Sequence, residues 1–149
     1  MSWSAARPVL VAIVGGVAPT VRRQGLPSKF KHDPNGEESE ALGDSRRYWL
    51  SLKQGNAIGH VQPTATRYRF SVDVVVEYVF DVDFSTLDEA IGEDAIEIVR
   101  ALATSSNWQR PTSTIIAVSP AGDSLGPFVV EDVEGGKRLR LTFDVEITR

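Results

Sequence analysis

The stretch 137–149, KRLRLTFDVEITR, decides the fold, because apolar and polar residues alternate along it without interruption. Its apolar members are Leu139, Leu141, Phe143, Val145 and Ile147. A period of two sustained over that length predicts a β-strand with one buried and one solvent-facing side. The segment 67–81 alternates in the same way, although Val75 and Val79 interrupt its polar side. We therefore predict two long strands of one sheet and a partly covered outer face on the second.

Between these strands the sequence predicts one amphipathic helix over 86–104. Its apolar stripe is expected to contain Leu87, Ile91, Ala95, Ile98, Val99 and Leu102. Ser85 or Thr86 is expected to cap the helix, because an acidic residue follows three positions later. Shorter strands are predicted at 46–53 and 114–118, with a connection over 54–66.

The glycine pair Gly135 and Gly136 predicts a hairpin that joins residues 128–134 to the final strand. A plain two-residue turn there would set the carboxylate of Asp132 opposite Leu139. We therefore expect a three-residue loop or a glycine bulge, with Val133 opposite Leu139 and Val129 opposite Phe143.

The N-terminal residues 1–18 are expected to form a short helix or strand packed on the sheet, and Pro8 suits the first turn of a helix. Together the elements predict an α+β fold. It is a mainly antiparallel sheet of long strands, with one main helix and a short N-terminal helix packed on one face.

Length and composition favour a single domain over residues 1–149 in the cytoplasm of the cell that makes it. The chain has 149 residues, a formal net charge of −4 and no cysteine. The absence of cysteine excludes disulfides and thiolate chemistry and fits a reducing compartment. The apolar run at 8–18 is too short to cross a membrane, which takes about 20 residues.

Few residues suggest chemistry. His32 and His60 have no zinc-type spacing. Asp81 and Asp83 form a DxD motif that could bind a divalent cation, but a strand end entering a helix cap is the preferred interpretation. A second acidic group, which fits a solvated turn better than a paired carboxylate site, contains Glu131, Asp132 and Glu134. We predict no catalytic, cofactor-binding or metal-binding residue, and no enzyme.

The long polar segment 19–44 is predicted to be a loop that contacts a neighbouring subunit or a partner. It has a basic half and an acidic half, and apolar residues are sparse, so its order is expected to come from that contact. Arginines on the predicted strands add to the candidate interface. Its members are Arg22, Arg23, Lys29, Lys31, Glu37, Glu38, Arg46, Arg47, Arg67, Arg69, Arg138 and Arg140.

Two interpretations of the strand arginines remain open. If the strands are neighbours, the arginines form a basic patch for nucleic acid or an acidic partner. Alternatively, they pair across strands with carboxylates, namely Asp73, Glu77, Asp144 and Glu146. Two interpretations are also open for four aromatic residues, which are either exposed anchors for a partner or part of the core. They are Trp3, Tyr48, Trp49 and Trp108.

The order of these segments resembles the tail terminator, or tail completion, proteins of long-tailed bacteriophages. A hydrophobic N-terminal element and a polar loop precede RRYWLSL at 46–52 and RYRFSVDVVVEYVF at 67–80. The helix STLDEAIGEDAIEIVRAL at 85–102 follows, and the last strand is RLRLTFDVEITR at 138–149.

This resemblance implies a structural virion protein without cofactor or catalytic residues. Such proteins cap the head-proximal end of the tail tube as a ring, commonly a hexamer, and join it to the neck. The implied partners are copies of the chain itself, the tail tube protein and the head connector, with DNA only passing through the lumen and no membrane. The implied location is the tail–neck junction of the virion, after synthesis in the bacterial cytoplasm. Alternatives are another neck subunit, a stopper or adaptor, or a basic-faced nucleic-acid-binding module.

Overall fold

A computed structural model describes residues 2–36, 44–62, 65–109, 114–121 and 128–148, and leaves out the side chains of residues 2, 56–62 and 65–66. Two helices lie on one face of a six-stranded sheet, so the α+β prediction is confirmed. The elements are α1 Ser2–Gly15, β1 Lys31–His32, β2 Arg47–Gln62, β3 Ala65–Val79, α2 Phe84–Ala103, β4 Ile115–Pro120, β5 Phe128–Val133 and β6 Gly136–Thr148.

The sheet runs β1-β2-β3-β6, and β4 and β5 share the far edge of β6. All pairs are antiparallel except β1 with β2. The two alternating stretches belong to one sheet as predicted, and they are direct neighbours in it, with Val74 opposite Leu141 and Val76 opposite Leu139. The alternation in β6 matches its burial, since every apolar residue from Leu139 to Ile147 is at most 2 % exposed.

Helix α2 begins at Phe84, two residues earlier than predicted, and its N-cap is Asp83. The Asp83 carboxylate accepts a 2.8 Å hydrogen bond from the Thr86 amide, so the predicted caps Ser85 and Thr86 are wrong. This bond lowers the pKa of Asp83. The DxD motif is thus a strand end entering a helix cap, as preferred above.

Helix α1 begins at Ser2, so Pro8 lies inside the helix and not in its first turn. An internal proline removes one backbone hydrogen bond. Packing compensates, because Leu10 and Val14 are buried against the sheet. The hydroxyl of Tyr48 also donates a 2.7 Å hydrogen bond to the Val11 carbonyl.

Strand β2 continues to Gln62, so the predicted connection over 54–66 is wrong. Its pairing with β3 survives the irregular sequence through register shifts, the first between Leu52 and Gln54. Gly55 contributes to this pairing, because a Cβ there would lie 2.5 Å from the Phe70 ring. Glycine marks a close approach in this strand and not its end.

The hairpin register also differs from the prediction. The turn residues are Glu134 and Gly135, and Gly135 has a φ of 82°. Val130 therefore lies opposite Leu139, and Glu131 lies opposite Arg138. This register keeps Asp132 away from Leu139 by moving the turn one residue earlier, an alternative to the loop or bulge that we predicted.

Candidate interaction surface

The outer face of the sheet, away from the helices, carries an ionic cluster that the strands build from alternating positions. Glu77 on β3 is fully buried and accepts hydrogen bonds from Arg47 on β2 and from Arg138 on β6, the latter at 2.8 Å. Arg47 also pairs with Asp33. Both guanidinium groups also lie over the ring of Trp49, that of Arg47 at 5.0 Å and that of Arg138 at 5.7 Å from the ring centroid.

A second part of this cluster surrounds Asp73, which is 1 % exposed. Its carboxylate accepts hydrogen bonds from Arg140 at 2.9 Å and from Thr142 at 2.8 Å, and Lys53 lies 3.2 Å away. Arg140 also contacts Glu131 at 3.1 Å. Burial lowers the pKa of Arg140, but the bonds to Asp73 and Glu131 outweigh burial and raise it overall.

The arginines at the other end of β3 form a separate group. Arg67 and Arg69 contact the carboxylate of Glu146 at 3.0 Å and 2.8 Å. The bond from Arg69 lowers the pKa of Glu146, and Arg67 adds to the effect. Arg69 and Val75, the partner of Arg140, are six residues apart along β3, roughly 20 Å in a strand. The strand arginines therefore pair with carboxylates and form no single basic patch.

The helix-side face contains a charged group that the sequence analysis missed. Arg46 is fully buried, and its guanidinium contacts the carboxylate of Asp94 at 2.8 Å and 3.1 Å. Asp94 also accepts a 2.6 Å hydrogen bond from the Tyr78 hydroxyl. Burial raises the pKa of both Asp94 and Tyr78. A signal was present, since Asp94 falls within the apolar stripe of α2, where an unpaired carboxylate would be costly.

The remaining donors of Arg46 hold the segment that was predicted to be a loop. They donate to the carbonyls of Pro27 at 2.8 Å and Val21 at 2.9 Å. Phe30 is buried beneath the same guanidinium, 5.8 Å from its ring centroid. The described part of segment 19–44 is therefore ordered by its own chain, and the prediction that order requires a partner is wrong for it. Arg46 itself is inaccessible and cannot form part of an interface.

Four predicted interface residues lie exposed on this held segment. We call Arg22, Arg23, Lys29 and Lys31 the basic flank. None of them forms an ion pair with any residue that the structure describes, whereas the strand arginines all do. The predicted members Glu37 and Glu38 lie outside the described residues.

The aromatic residues proposed as anchors belong mainly to the interior. Tyr48, Trp49 and Trp108 are at most 6 % exposed, and Trp3 packs on Phe70. The indole of Trp108 donates a 2.9 Å hydrogen bond to the Leu102 carbonyl. Core packing is thus the correct interpretation for Tyr48 and Trp108, and Trp3 packs against that core, whereas Trp49 is buried on the outer face against Arg47 and Arg138.

Two depressions adjoin these elements. A cavity of about 400 Å³ includes His32, Asp33 and Arg47 in its lining, and a groove of about 530 Å³ separates α1 from the end of α2. Burial and the nearby charge of Arg7 lower the pKa of His32. The side chain of His60 is outside the described set. Among the residues that are described, no group of three His, Asp or Glu could bind a metal ion.

Comparison of the sequence with protein-family models and with curated proteins finds no match. In the described part of the chain, neither helix is long and apolar enough to cross a membrane.

Proposed function

We propose that this chain is a structural virion protein, a tail terminator of a long-tailed bacteriophage. It caps the head-proximal end of the tail tube as an oligomeric ring, joins the tube to the neck and performs no catalysis. Its partners are further copies of itself, the tail tube protein and the connector subunits. It is made in the bacterial cytoplasm and acts at the tail–neck junction, with DNA passing through the lumen.

The observation that carries this proposal is the basic flank. Its four cations stay exposed and without ion pairs among the described residues, although carboxylates satisfy the strand arginines. Arg46 holds the segment that presents them by hydrogen bonds to the carbonyls of Val21 and Pro27, and a fully buried ion pair with Asp94 fixes Arg46 in turn. Burying such a pair is costly, and a preformed surface binds a partner without the cost of ordering a loop.

The order of elements and the sheet pairings support the same assignment. β3 and β6 are the two long alternating strands on which the resemblance rests, and α2 packs on the sheet and lies between β3 and β4 in sequence. The buried charged residues that the structure describes are paired with other charged residues, as Glu77 is with Arg47 and Arg138. That arrangement suits a scaffold better than a reaction centre.

The nucleic-acid alternative loses most of its basis, because the strand arginines are neutralised. Of the predicted interface residues that the structure describes, the basic flank remains available to bind phosphates, with an affinity that falls steeply with salt. A stopper or adaptor would use the same kind of preformed surface, and tube binding separates it from a terminator.

A tube-growth experiment tests the proposal. The purified chain is added to tail tube protein from the virus that encodes it, and tube lengths are measured by negative-stain electron microscopy. We expect short tubes with a ring at one end, and weaker capping by Arg23→Glu. Arg100→Glu is the matched control, because Arg100 is exposed on α2 and only weakly paired, at 3.3 Å, with Glu97.

Tubes that grow unchanged and carry no ring would refute the terminator assignment. If Arg23→Glu and Arg100→Glu weaken capping equally, the effect is one of overall charge, and the basic flank is not the binding surface. Salt-sensitive DNA binding without capping would favour the nucleic-acid module.

A further inference from the structure

A ring of identical subunits needs two different surfaces on opposite sides of each copy. This requirement rests on the proposed function, and the basic flank supplies one of the two surfaces. Lys31 lies in β1, the outermost strand on its side of the sheet, and Lys29 precedes it by two residues. The second surface must be complementary to these cations and lie at the other side.

β5 meets the apolar part of that requirement. Three consecutive residues, Phe128, Val129 and Val130, are 39 %, 37 % and 43 % exposed. Neighbouring residues of a strand point to opposite faces, so both faces of β5 present apolar surface. Within the described chain the outer edge of β5 has no backbone partner, since β5 pairs with β6 alone. Natural proteins avoid leaving such an edge strand uncovered.

The charges beside β5 meet the electrostatic part. Asp132 and Glu134 are exposed and form no ion pair with a described residue. They lie at the end of β5 and in the turn to β6. We call Phe128, Val129, Val130, Asp132 and Glu134 the β5 flank, an apolar strip with an acidic end.

The two flanks lie at opposite edges of the sheet. The strand order across this end is β1-β2-β3-β6-β5, which separates β1 from β5 by roughly 19 Å at the usual strand spacing. The register places both flanks toward the same end of the strands, since Arg47 lies opposite Glu77 and Glu77 opposite Arg138. A second copy placed beside the first in the same orientation can therefore bring its β5 flank against the basic flank of the first copy.

We infer that the β5 flank of one copy docks against the basic flank of a second copy of this chain. Asp132 and Glu134 pair with cations of the neighbour, and the apolar residues of β5 are covered. Each copy uses its two flanks once, so the contact is head-to-tail and repeats around a ring.

Charge reversal on each flank tests the contact in the full chain. One variant carries Lys29→Glu and Lys31→Glu, and the other carries Asp132→Lys and Glu134→Lys. Each variant alone brings like charges together at every contact, so mass photometry should show a loss of the oligomer, at least tenfold, with unchanged thermal melting. An equimolar mixture restores opposite charges at every contact and should recover the oligomer with both variants alternating.

Cysteine cross-linking tests the same contact when assembly is weak. The chain has no cysteine, so a variant with Lys29→Cys and Asp132→Cys has one thiol on each flank. Oxidation should give a covalent ladder up to the full ring. Each single-cysteine control stops at a dimer at most.

No ladder at high concentration, or a mixture that fails to reassemble, overturns the inference. So do charge-reversed variants that each assemble like the unmodified chain. Rings that form through these flanks but leave tube growth unchanged refute the proposed function and not the contact. Capping of tubes by both charge-reversed variants refutes the contact and not the function.

Discussion

Two ionic groups in this molecule have similar chemistry and opposite surroundings. Arg46 and its partner Asp94 on α2 are both fully buried. Arg67 and Arg69, which share Glu146, keep 39 % and 50 % of their side chains exposed. Because the first pair is buried, removing either partner leaves the other charge unpaired in the interior, and this strongly destabilises the folded state. Water and salt screen the second group, so it contributes little.

The largest effect is expected from removing one partner of the buried pair. Asp94→Ala leaves Arg46 charged and unpaired in the interior, and we expect a loss of about 3–5 kcal/mol in the free energy of unfolding. Urea unfolding measures this loss. The double variant Arg46→Met with Asp94→Leu should lose less than Asp94→Ala alone. A double variant that loses as much stability as Asp94→Ala, or more, would contradict the view that the unpaired buried charge causes the loss.

A smaller loss is expected at Glu77, which lies between the two extremes. It is fully buried, but its partners Arg47 and Arg138 retain some contact with water. Glu77→Gln removes the carboxylate charge and one of the two acceptor oxygens that bind the arginines, and it should cost about 2–3 kcal/mol. Chemical denaturation provides the value. A cost equal to that of Asp94→Ala would show that the outer face is as dry as the interior.

The smallest change in stability is expected at Arg69. Arg69→Gln breaks an exposed contact, and the expected cost is below about 1 kcal/mol. Raising the salt concentration should reduce this cost further, because exposed charges are screened. Unfolding measured at low and high salt tests both points, with Arg67→Gln as the matched control. A large loss of stability that does not change with salt would contradict the difference proposed between the exposed and the buried ionic groups.

Titration distinguishes the two carboxylates even where stability does not. Burial raises the pKa of Asp94, so its contribution to stability is largest at low pH and declines as pH rises through the raised value. The bond from Arg69 lowers the pKa of Glu146, whose contribution is present above the usual value and is lost as pH falls through the lowered one. Carboxyl NMR titration should show the pKa of Asp94 above the usual aspartate value and the pKa of Glu146 below the usual glutamate value, and a shift in the opposite direction at either residue would refute this assignment.

The long strands were predictable because a period of two is a local property. The alternation at 137–149 places β6 within one residue of its observed bounds, and β3 is recovered almost as closely. β2 was not recovered beyond residue 53, because its glycines resemble a loop. Pairing with β3 and the space beside Phe70 decide that Gly55 belongs to a strand. These are tertiary facts that the local sequence does not encode.

The candidate surface was recovered only in part for the same reason. Exposure of Arg22 and Lys29 follows from a polar sequence, and the structure agrees. Arg46 and Arg47 look identical in sequence, yet they point to opposite faces of the sheet with different acidic partners. Arg47 pairs with Glu77, 30 positions away, and Arg46 pairs with Asp94, 48 positions away, so the partner of each arginine depends on the fold.

The division of one edge of β6 between β4 and β5 has a consequence for synthesis. β3, β4 and β5 are all made before β6, and each is a direct neighbour of that later strand. Until β6 emerges from the ribosome, these strands lack the segment that unites them, and β3 can pair only with β2. Long-range pairing of this kind slows folding and exposes unfinished edges. Chaperone demand during translation should therefore persist until β6 has been made.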